Sequence, residues 1–265
     1  MNGTTSLQTF DLSIGYRRNP IASAINICLH PGELTALLGP NGVGKSTLLK
    51  TLTGELPPLG GNIKLMGNDL ASYSHRQLSR LMAIVTTDSI QAGGLTVEEL
   101  VALGRHPYTG FFGRLGKEDR VAVEQAMHCV GIDHKSSSYI SELSDGERQK
   151  ALIAKAIARD TPVIVLDEPF SFLDVASRIE ILERLDMLAS SGKTILFSSH
   201  DVSQALRMAS RLILFTPKRE IITGTPRELM DSGALDNLFD TDKAVFSRQE
   251  HDFVVKKDKG LTTFR

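Results

Sequence analysis

Residues 39–47 combine glycine, lysine and hydroxyl side chains in a spacing that suits phosphate binding. The stretch reads GPNGVGKST and fits the pattern G-x-x-x-x-G-K-[ST]. Glycines let the backbone approach a phosphate closely, and successive N–H groups at a helix start attract an anion. Lys45 would place a positive charge on the outer phosphates, and the Ser46 hydroxyl can ligate Mg²⁺. The candidate nucleotide-binding residues are Gly39, Pro40, Asn41, Gly42, Val43, Gly44, Lys45, Ser46 and Thr47.

Two adjacent carboxylates end a strand-sized apolar run later in the chain. Asp167 and Glu168 follow the run VIVL at 163–166. At the carboxyl end of a buried strand, Asp167 would lie beside the phosphate loop and hold Mg²⁺ directly or through water. Glu168 could then orient and deprotonate an attacking water. Alone, such a pair is as readily a solvated strand end, but with a phosphate loop it predicts hydrolysis of a nucleoside triphosphate.

A single histidine follows the next strand-like run. The imidazole of His200 could hydrogen-bond the γ-phosphate or the attacking water. A lone histidine at a strand end is more often structural or solvated. Its place after the two other motifs makes it a candidate catalytic residue beside Glu168.

Alternating strands and helices must position these residues. A buried strand at 34–38 precedes the phosphate loop, and an amphipathic helix with Leu48, Leu49 and Leu52 follows it. A βαβαβ rhythm after residue 162 predicts a parallel sheet. Its predicted elements are strand 163–166, helix 176–189, strand 194–198, helix 202–209 and strand 212–215. Short strands are predicted from 7 to 67, and mostly helix from 69 to 141, including one broad apolar face with Val123 and Met127.

The amino-acid composition limits the classes of protein to which this chain can belong. The 265 residues are 41% hydrophobic and carry a formal net charge of −1, which suits one large α/β domain and gives no general attraction to nucleic acid. Cys28 and Cys129 are far apart, so they indicate two reduced, buried thiols and no disulfide framework. We see no signal peptide and no apolar run of membrane-spanning length, so we expect a soluble, cytosolic protein that reaches a membrane only through a partner.

Further motifs resemble those of the ATPase subunits of ABC transporters. Residues 143–147 read LSDGE and resemble the signature motif LSGGQ of that family, with Asp145 for the first glycine and Glu147 for the glutamine. The motif lies shortly before the acid pair, as it does in the family. Residues 171–174, SFLD, resemble the D-loop. His200 is similar to the switch histidine, so the resemblance covers nearly the whole chain.

The resemblance implies the fold class: α/β, with a P-loop NTPase core containing a parallel sheet, an antiparallel β subdomain at the N-terminal side and an inserted helical subdomain. The ABC ATPase domain is expected at 7–240, with the helical subdomain at about 88–160. Residues 241–265 are expected to be a C-terminal extension that forms a small hairpin, 244–247 with 253–256.

The resemblance also implies ATP and Mg²⁺ as ligands and a homodimer as the active form. Ser144 and Glu147 form a capping box that opens a helix at 148–159. In the family, this helix start points at the γ-phosphate of ATP held by the other subunit. Ser144, Gly146 and Glu147 are therefore expected to contact that ATP. Tyr16 resembles the A-loop aromatic and would stack on adenine, although an aromatic of the strand core is the alternative.

One loop departs from the family pattern. Where the family has a glutamine after the strand at 82–85, this chain has Thr87, followed by Asp88. That loop normally contacts Mg²⁺ and relays to the membrane partner. Our hypothesis is that Thr87 or Asp88 fills the role, with water as a bridge because the threonine side chain is shorter.

Residues 95–108, LTVEELVALGRHPY, resemble the branch that drives uptake of ferric siderophores, haem and cobalamin. The implied partners are integral-membrane permease subunits and, indirectly, a substrate-binding protein, with the ATPase peripheral on the cytoplasmic face of the membrane. The segment 96–104 is expected to receive the permease. A non-transport ABC ATPase of translation or DNA repair is the alternative, and an unrelated P-loop kinase or GTPase would lack the motif at 143–147.

Overall fold

The computed structural model describes residues 5–17, 19–86, 94–110, 113–236, 238, 244–248 and 250–255. The strands in these residues are β1 (Leu7–Tyr16), β2 (Asn19–Ile25), β3 (Cys28–Leu29), β4 (Leu34–Leu38), β5 (Gly60–Leu65), β6 (Asn68–Asp69), β7 (Met82–Val85), β8 (Val163–Leu166), β9 (Thr194–Ser199), β10 (Arg211–Phe215), β11 (Ile221–Gly224), β12 (Ala244–Ser247) and β13 (Asp252–Val255). The α-helices are α1 (Lys45–Leu52), α2 (His75–Leu81), α3 (Val97–Ala102), α4 (Lys117–Cys129), α5 (Asp145–Ala158), α6 (Val175–Ser190), α7 (Val202–Met208) and α8 (Pro226–Asp231).

The central sheet has the strand order β11-β10-β4-β9-β8-β7. The pairs from β10 to β7 are parallel, and β11 pairs antiparallel with β10. The predicted parallel sheet is therefore confirmed. The carboxyl ends of parallel strands meet at one edge of a sheet. That edge brings together the loop after β4, the acid pair after β8 and the histidine after β9.

An antiparallel sheet forms the N-terminal side of the fold. Its order is β2-β1-β5-β6, and β3 also pairs with β1. Leu12 and Ile14 of β1 are fully buried, since alternate side chains of a strand lie on the same face. The last residue of β1 is Tyr16, which is 50% exposed. This sheet therefore buries one face and leaves Tyr16 outside the core.

Two apolar cores lie on the two faces of the central sheet. Alternate residues of each strand enter different clusters, since successive side chains of a strand point to opposite faces. Leu38 of β4 and Leu166 of β8 join the cluster that includes α5, α6 and α7. Leu37 and Val165 join the cluster that includes α1 and the antiparallel sheet. Apolar packing on both faces of the central sheet therefore fixes the strand ends that carry the candidate site residues.

Helices α3, α4 and α5 pack against one another. Val123 and Met127 of α4 are buried, which confirms the predicted apolar face of that helix. Helix α5 begins at Asp145, three residues before the predicted start, because the capping serine lies directly before it. No helix of the described ranges is long and apolar enough to span a bilayer.

A hairpin of β12 and β13 lies near the C-terminus and contacts α7. Phe246 is buried, and its ring meets that of Phe253 edge to face at 5.4 Å. The second strand ends at Val255, whereas the predicted strand ran to Lys256, which lies outside the described residues.

The prediction of two buried thiols is wrong. Cys28 is exposed, and Cys129 is only partly buried. Leu29 of the two-residue strand β3 points into the core, so its neighbour Cys28 points the other way. Burial raises the pKa of the Cys129 thiol.

Candidate active site

The phosphate loop connects β4 to α1, as the pattern at 39–47 predicts. Gly42 and Gly44 have φ angles of 76° and 122°, a region in which side chains are strained. Gly44 is the N-cap residue of α1, and no side chain caps the helix there. The first N–H groups of α1 therefore lack a side-chain acceptor at the cap and can bind an anion.

The loop packs closely against β10. A Cβ placed on Gly39 would lie 2.5 Å from the carbonyl oxygen of Phe215. A Cβ on Gly44 would lie 2.7 Å from the Cγ2 atom of Ile21 and 3.3 Å from the Phe215 ring. Phe215 is fully buried. Both glycines are required by close packing behind the loop, which leaves the front open to a ligand.

Lys45 lies inside the loop and is only 6% exposed. Its Nζ donates to the carbonyl oxygen of Gly39 at 2.9 Å and to that of Pro40 at 3.2 Å. Burial lowers the pKa of Lys45, and the nearby carboxylates of Glu168 and Asp167 act in the opposite direction. The ammonium group is therefore held at the loop by weak carbonyl acceptors, which phosphate oxygens can replace.

The two carboxylates follow β8 as predicted. Asp167 is 5% exposed, and its N–H donates to the carbonyl oxygen of Val85 at 2.8 Å. Glu168 has a φ of 45°, which is rare for a residue with a side chain. The Ser171 hydroxyl lies 3.4 Å from Oε2 of Glu168. Asp167 thus lies at the carboxyl ends of the parallel strands, and Glu168 lines the adjoining cleft.

Ser198 of β9 is a site residue that the sequence did not single out. Its Oγ donates to Oδ1 of Asp167 at 2.6 Å and accepts the N–H of Glu168 at 2.7 Å. Ser198 is fully buried in a run that otherwise predicts a core strand. The available signal was the pair of serines at the end of that run, but strand-end serines are common.

Glu168 and His200 line one narrow cleft together with Ser171, Asp201 and Arg178. His200 is exposed, and Asp201 after it caps α7 by accepting the N–H of Gln204 at 2.9 Å. The Arg178 guanidinium pairs with the other oxygen of Asp201 at 3.0 Å. The structure therefore brings the predicted base and the predicted histidine to one place.

The oxygen ligands near the loop fit Mg²⁺. Ser46 lies in the first turn of α1 and is exposed, and Asp167 offers a carboxylate. Mg²⁺ is usually held by one or two carboxylates together with phosphate oxygens rather than by a complete protein cage. Ser46 and Asp167 are the hard oxygen donors that such a site uses. Thr87 and Asp88, the other predicted metal contacts, lie outside the described residues.

The motif at 143–147 opens α5 with a capping box. The N–H of Ser144 donates to Oε2 of Glu147 at 2.9 Å, and Ser144 Oγ accepts the N–H of Glu147 at 3.3 Å. Lys135 pairs with the same carboxylate at 3.3 Å. These interactions lower the pKa of Glu147, and the hydrogen bonds from Ser144 have the largest effect. A Cβ on Gly146 would lie 3.0 Å from the carbonyl oxygen of Phe172, so the helix start packs against residues 171–174.

The capped start of α5 lines a separate cleft of about 660 Å³. Ser144, Gly146 and Glu147 lie on one side of it, and Phe172 and Asp174 on the other. Phosphate-loop residues are not part of this lining. Within one chain, the predicted ATP contacts at the start of α5 thus line a cleft in which the phosphate loop takes no part.

Comparison with known proteins supplies the context for this geometry. Residues 22–171 match the family model described as ABC transporter. The iron(3+)-hydroxamate import ATP-binding protein of Bacillus subtilis is 38% identical over 91% of this chain and 90% of its own length. The ferric enterobactin transport ATP-binding protein of Escherichia coli is 36% identical over 86% of this chain and 84% of its own. A solved ATP binding subunit of an ABC transporter is similar with a TM-score of 0.77, at 28% identity over 87% of this chain and 94% of that one.

Proposed function

This chain belongs to the ABC transporter family, and on that basis we propose that it is the ATP-binding and ATP-hydrolysing subunit of an importer for an iron chelate or cobalamin. The observation that carries the proposal is the convergence at one sheet edge of the phosphate loop, Asp167, Glu168 and His200. The named importer relatives, at 36% and 38% identity, support the choice of transport over translation or DNA repair.

The residues take distinct roles in hydrolysis. The backbone of 39–47 and Lys45 bind the phosphates, and Tyr16 stacks on the adenine. Ser46 and Asp167 would hold Mg²⁺, which would supply charge neutralisation of the phosphate oxygens. Glu168 accepts a proton from the attacking water, and His200 hydrogen-bonds the γ-phosphate or that water. The water oxygen forms a bond to the γ-phosphorus while the bond from that phosphorus to the β,γ-bridging oxygen breaks. ADP leaves with the bridging oxygen, so the products are ADP and phosphate.

The active form is a homodimer that closes head to tail. The support is the placement of Ser144, Gly146 and Glu147 in a cleft apart from the phosphate loop of the same chain. A second copy can bring its capped helix start to the γ-phosphate, where backbone N–H groups and the Ser144 hydroxyl can donate. ATP then joins the two subunits, and its hydrolysis releases them.

The permease docks at the segment around α3. Leu95, Ala102, Leu103, His106 and Leu115 line an open, mainly apolar groove there. Leu103 is 44% exposed, although it is a large apolar side chain. This placement gives the chain a peripheral position on the cytoplasmic face of the membrane. A substrate-binding protein delivers the cargo to the permease and does not contact this subunit.

Nucleotide binding is tested first with Lys45→Ala. Because Lys45 supplies the buried cation of the loop, we expect ATP affinity to fall at least about tenfold, which corresponds to about 1.4 kcal/mol. Fluorescent ATP titration measures the affinity. Lys64→Ala is the control, since that lysine lies in β5 of the other sheet with its Nζ over the ring of Phe10. Unchanged affinity in Lys45→Ala would contradict the assignment of the loop.

Transport is tested by affinity purification of the chain from solubilised membranes. We expect an integral-membrane permease to copurify with the wild type and to be lost with Leu103→Asp. Met187→Asp is the matched control, because Met187 is an exposed apolar residue on α6, away from the groove. Recovery of ribosomal proteins in place of a permease would support the translation alternative and overturn the proposal.

A further inference from the structure

Ser198 connects the ends of two neighbouring strands through one hydroxyl group. A serine hydroxyl has one donor and two acceptor sites. In this structure it donates to Oδ1 of Asp167 at 2.6 Å and accepts from the N–H of Glu168 at 2.7 Å. Both partners are residues to which the proposed function assigns chemistry. The hydroxyl therefore contacts the site through these two acids.

The bond to Asp167 fixes the orientation of a carboxylate. A hydroxyl donating to an ionised carboxylate at this distance makes one of the stronger hydrogen bonds in proteins. Since Ser198 occupies Oδ1, the Oδ2 atom of Asp167 is left to face a cation. Without that bond the carboxylate could rotate about χ2, an angle that has a broad distribution in aspartate.

The bond to Glu168 holds an unfavourable backbone conformation. A residue with a side chain in the left-handed region costs about 1 kcal/mol or more and persists only where its surroundings hold it. The Glu168 N–H points at Ser198 in that conformation. The backbone angle decides where the Glu168 side chain leaves the strand, and therefore whether it enters the cleft with His200.

We propose that Ser198 is a positioning residue that sets the Asp167 carboxylate for Mg²⁺ and the Glu168 side chain for the attacking water. The inference rests on the proposed function of those two acids. It predicts that the Ser198 hydroxyl affects the Mg²⁺-dependent part of nucleotide binding and leaves unchanged the Mg²⁺-independent part, which depends on the phosphate loop and Tyr16.

The test compares Ser198→Thr with Ser198→Val, which have nearly the same shape but differ in the hydroxyl. The affinity of a non-hydrolysable ATP analogue is measured in excess Mg²⁺ and in EDTA. We expect the gain in affinity on adding Mg²⁺ to be about tenfold smaller in Ser198→Val, since a hydrogen bond to a charged group contributes about 1.5 kcal/mol or more. Ser198→Thr should recover most of the gain, and affinity in EDTA should be the same in all three proteins.

Thr194→Val is the matched control on the same strand. Thr194 is also fully buried, and its hydroxyl donates to Ser6 at 2.6 Å, at the opposite end of β9 from the site. We expect this variant to keep the wild-type gain from Mg²⁺. ATPase rates should follow the same order, with Ser198→Val lowest.

The outcomes separate this inference from the proposed function. Equal gains from Mg²⁺ in wild type and Ser198→Val would overturn the role of Ser198, while the proposed function would stand. An equal loss of the Mg²⁺-dependent gain in affinity in Ser198→Thr and Ser198→Val would show a packing role and would also overturn the positioning role of Ser198. Failure of Ser198→Val to fold while Thr194→Val folds would have the same meaning. No effect of Mg²⁺ on the wild type would instead reject the proposed metal site.

Discussion

At the scale of single residues, the site consists of side chains whose partners in this chain are already arranged. Lys45 is bonded to two loop carbonyl groups, and Asp167 to Ser198. Such preorganisation reduces the cost of ordering side chains when the ligand binds. Tyr16 and His200, in contrast, are exposed side chains whose proposed partners are the nucleotide and the attacking water.

We expect Tyr16→Ala to weaken ATP binding about tenfold, because stacking of a base on an aromatic ring contributes about 1–3 kcal/mol. Tyr16→Phe should keep the affinity near that of wild type, since phenylalanine retains the ring. Tyr139→Ala is a control matched in exposure, as both tyrosines are 50% exposed. Titration with ATP and with the base-free ligand triphosphate measures the effect. An equal loss for both ligands would contradict stacking.

At this scale the sequence predicts where residues of ordered motifs lie in the fold and does not single out Ser198. Lys45, Asp167 and His200 stand at defined offsets from strands, so their positions follow from periodicity and the order of strand ends. Ser198 acts through the pairing of β8 with β9, which sets a residue of one strand beside a residue 31 positions earlier. A contact between strands depends on register, and register is not readable from a single buried run.

At the scale of elements, helix caps and strand ends position the residues that the proposed function uses. Ser144 caps α5, Asp174 caps α6, and Asp201 caps α7. Each of these caps lies in or beside a predicted motif. The order of elements in the parallel sheet was predictable from the βαβαβ rhythm, whereas the start of α5 at Asp145 was missed by three residues. A capping box satisfies backbone groups of the first turn, so the helix begins at the cap and includes the motif.

We expect Ser144→Ala to lower the free energy of unfolding by about 1 kcal/mol, the usual effect of losing an N-cap side chain. Glu147→Gln should be destabilising at neutral pH, and the difference from wild type should shrink as the solution is acidified. The sign follows from the lowered pKa of Glu147, whose stabilisation is present above its unfolded pKa and lost as the pH falls through the folded one. Urea unfolding at several pH values measures both. A difference that grows on acidification would contradict the capping role.

Arg178 links the start of α6 to the start of α7. Its guanidinium donates to Asp201 at 3.0 Å and to the carbonyl oxygen of Leu173 at 3.4 Å. We expect Arg178→Ala and Asp201→Asn each to slow ATP hydrolysis, because the loop with His200 loses its connection to residues 171–174. The double variant should be little slower than either single variant. A double-mutant cycle built from the ATPase rates should therefore give a coupling energy of about 1 kcal/mol. Additive effects would show that the two side chains act independently.

At the scale of the whole molecule, the proposed homodimer would bring together two groups of residues that lie apart in one chain. The start of α5 lines a cleft that contains no phosphate-loop residue. Phe172 beside that cleft is 60% exposed, and Val175 at the start of α6 is 70% exposed. Apolar side chains at such exposure next to a predicted ligand contact suit a surface that a second copy covers.

We expect Glu168→Gln to bind ATP, form a stable dimer with Mg²⁺ and turn over very slowly, because the amide cannot accept the proton of the attacking water. Light scattering with and without ATP measures the dimer, and phosphate release measures turnover. Adding Ser144→Arg should prevent the dimer while ATP still binds each monomer, whereas Tyr139→Arg, also exposed, should not. A monomer in all conditions, or wild-type turnover in Glu168→Gln, would contradict the assignment.

The packing of Phe215 behind the phosphate loop has an evolutionary consequence. Gly39 and Gly44 both abut this one fully buried side chain. A smaller residue at 215 would not make room for a side chain at Gly39, whose Cβ would meet the main-chain carbonyl oxygen of Phe215, or at Gly44, whose Cβ would meet Ile21 first. A residue larger than phenylalanine at 215 would press on both glycines. Both glycines should therefore be retained among descendants of this gene whatever residue stands at 215, and the size of residue 215 should be limited by selection for nucleotide binding although β10 carries no proposed catalytic side chain.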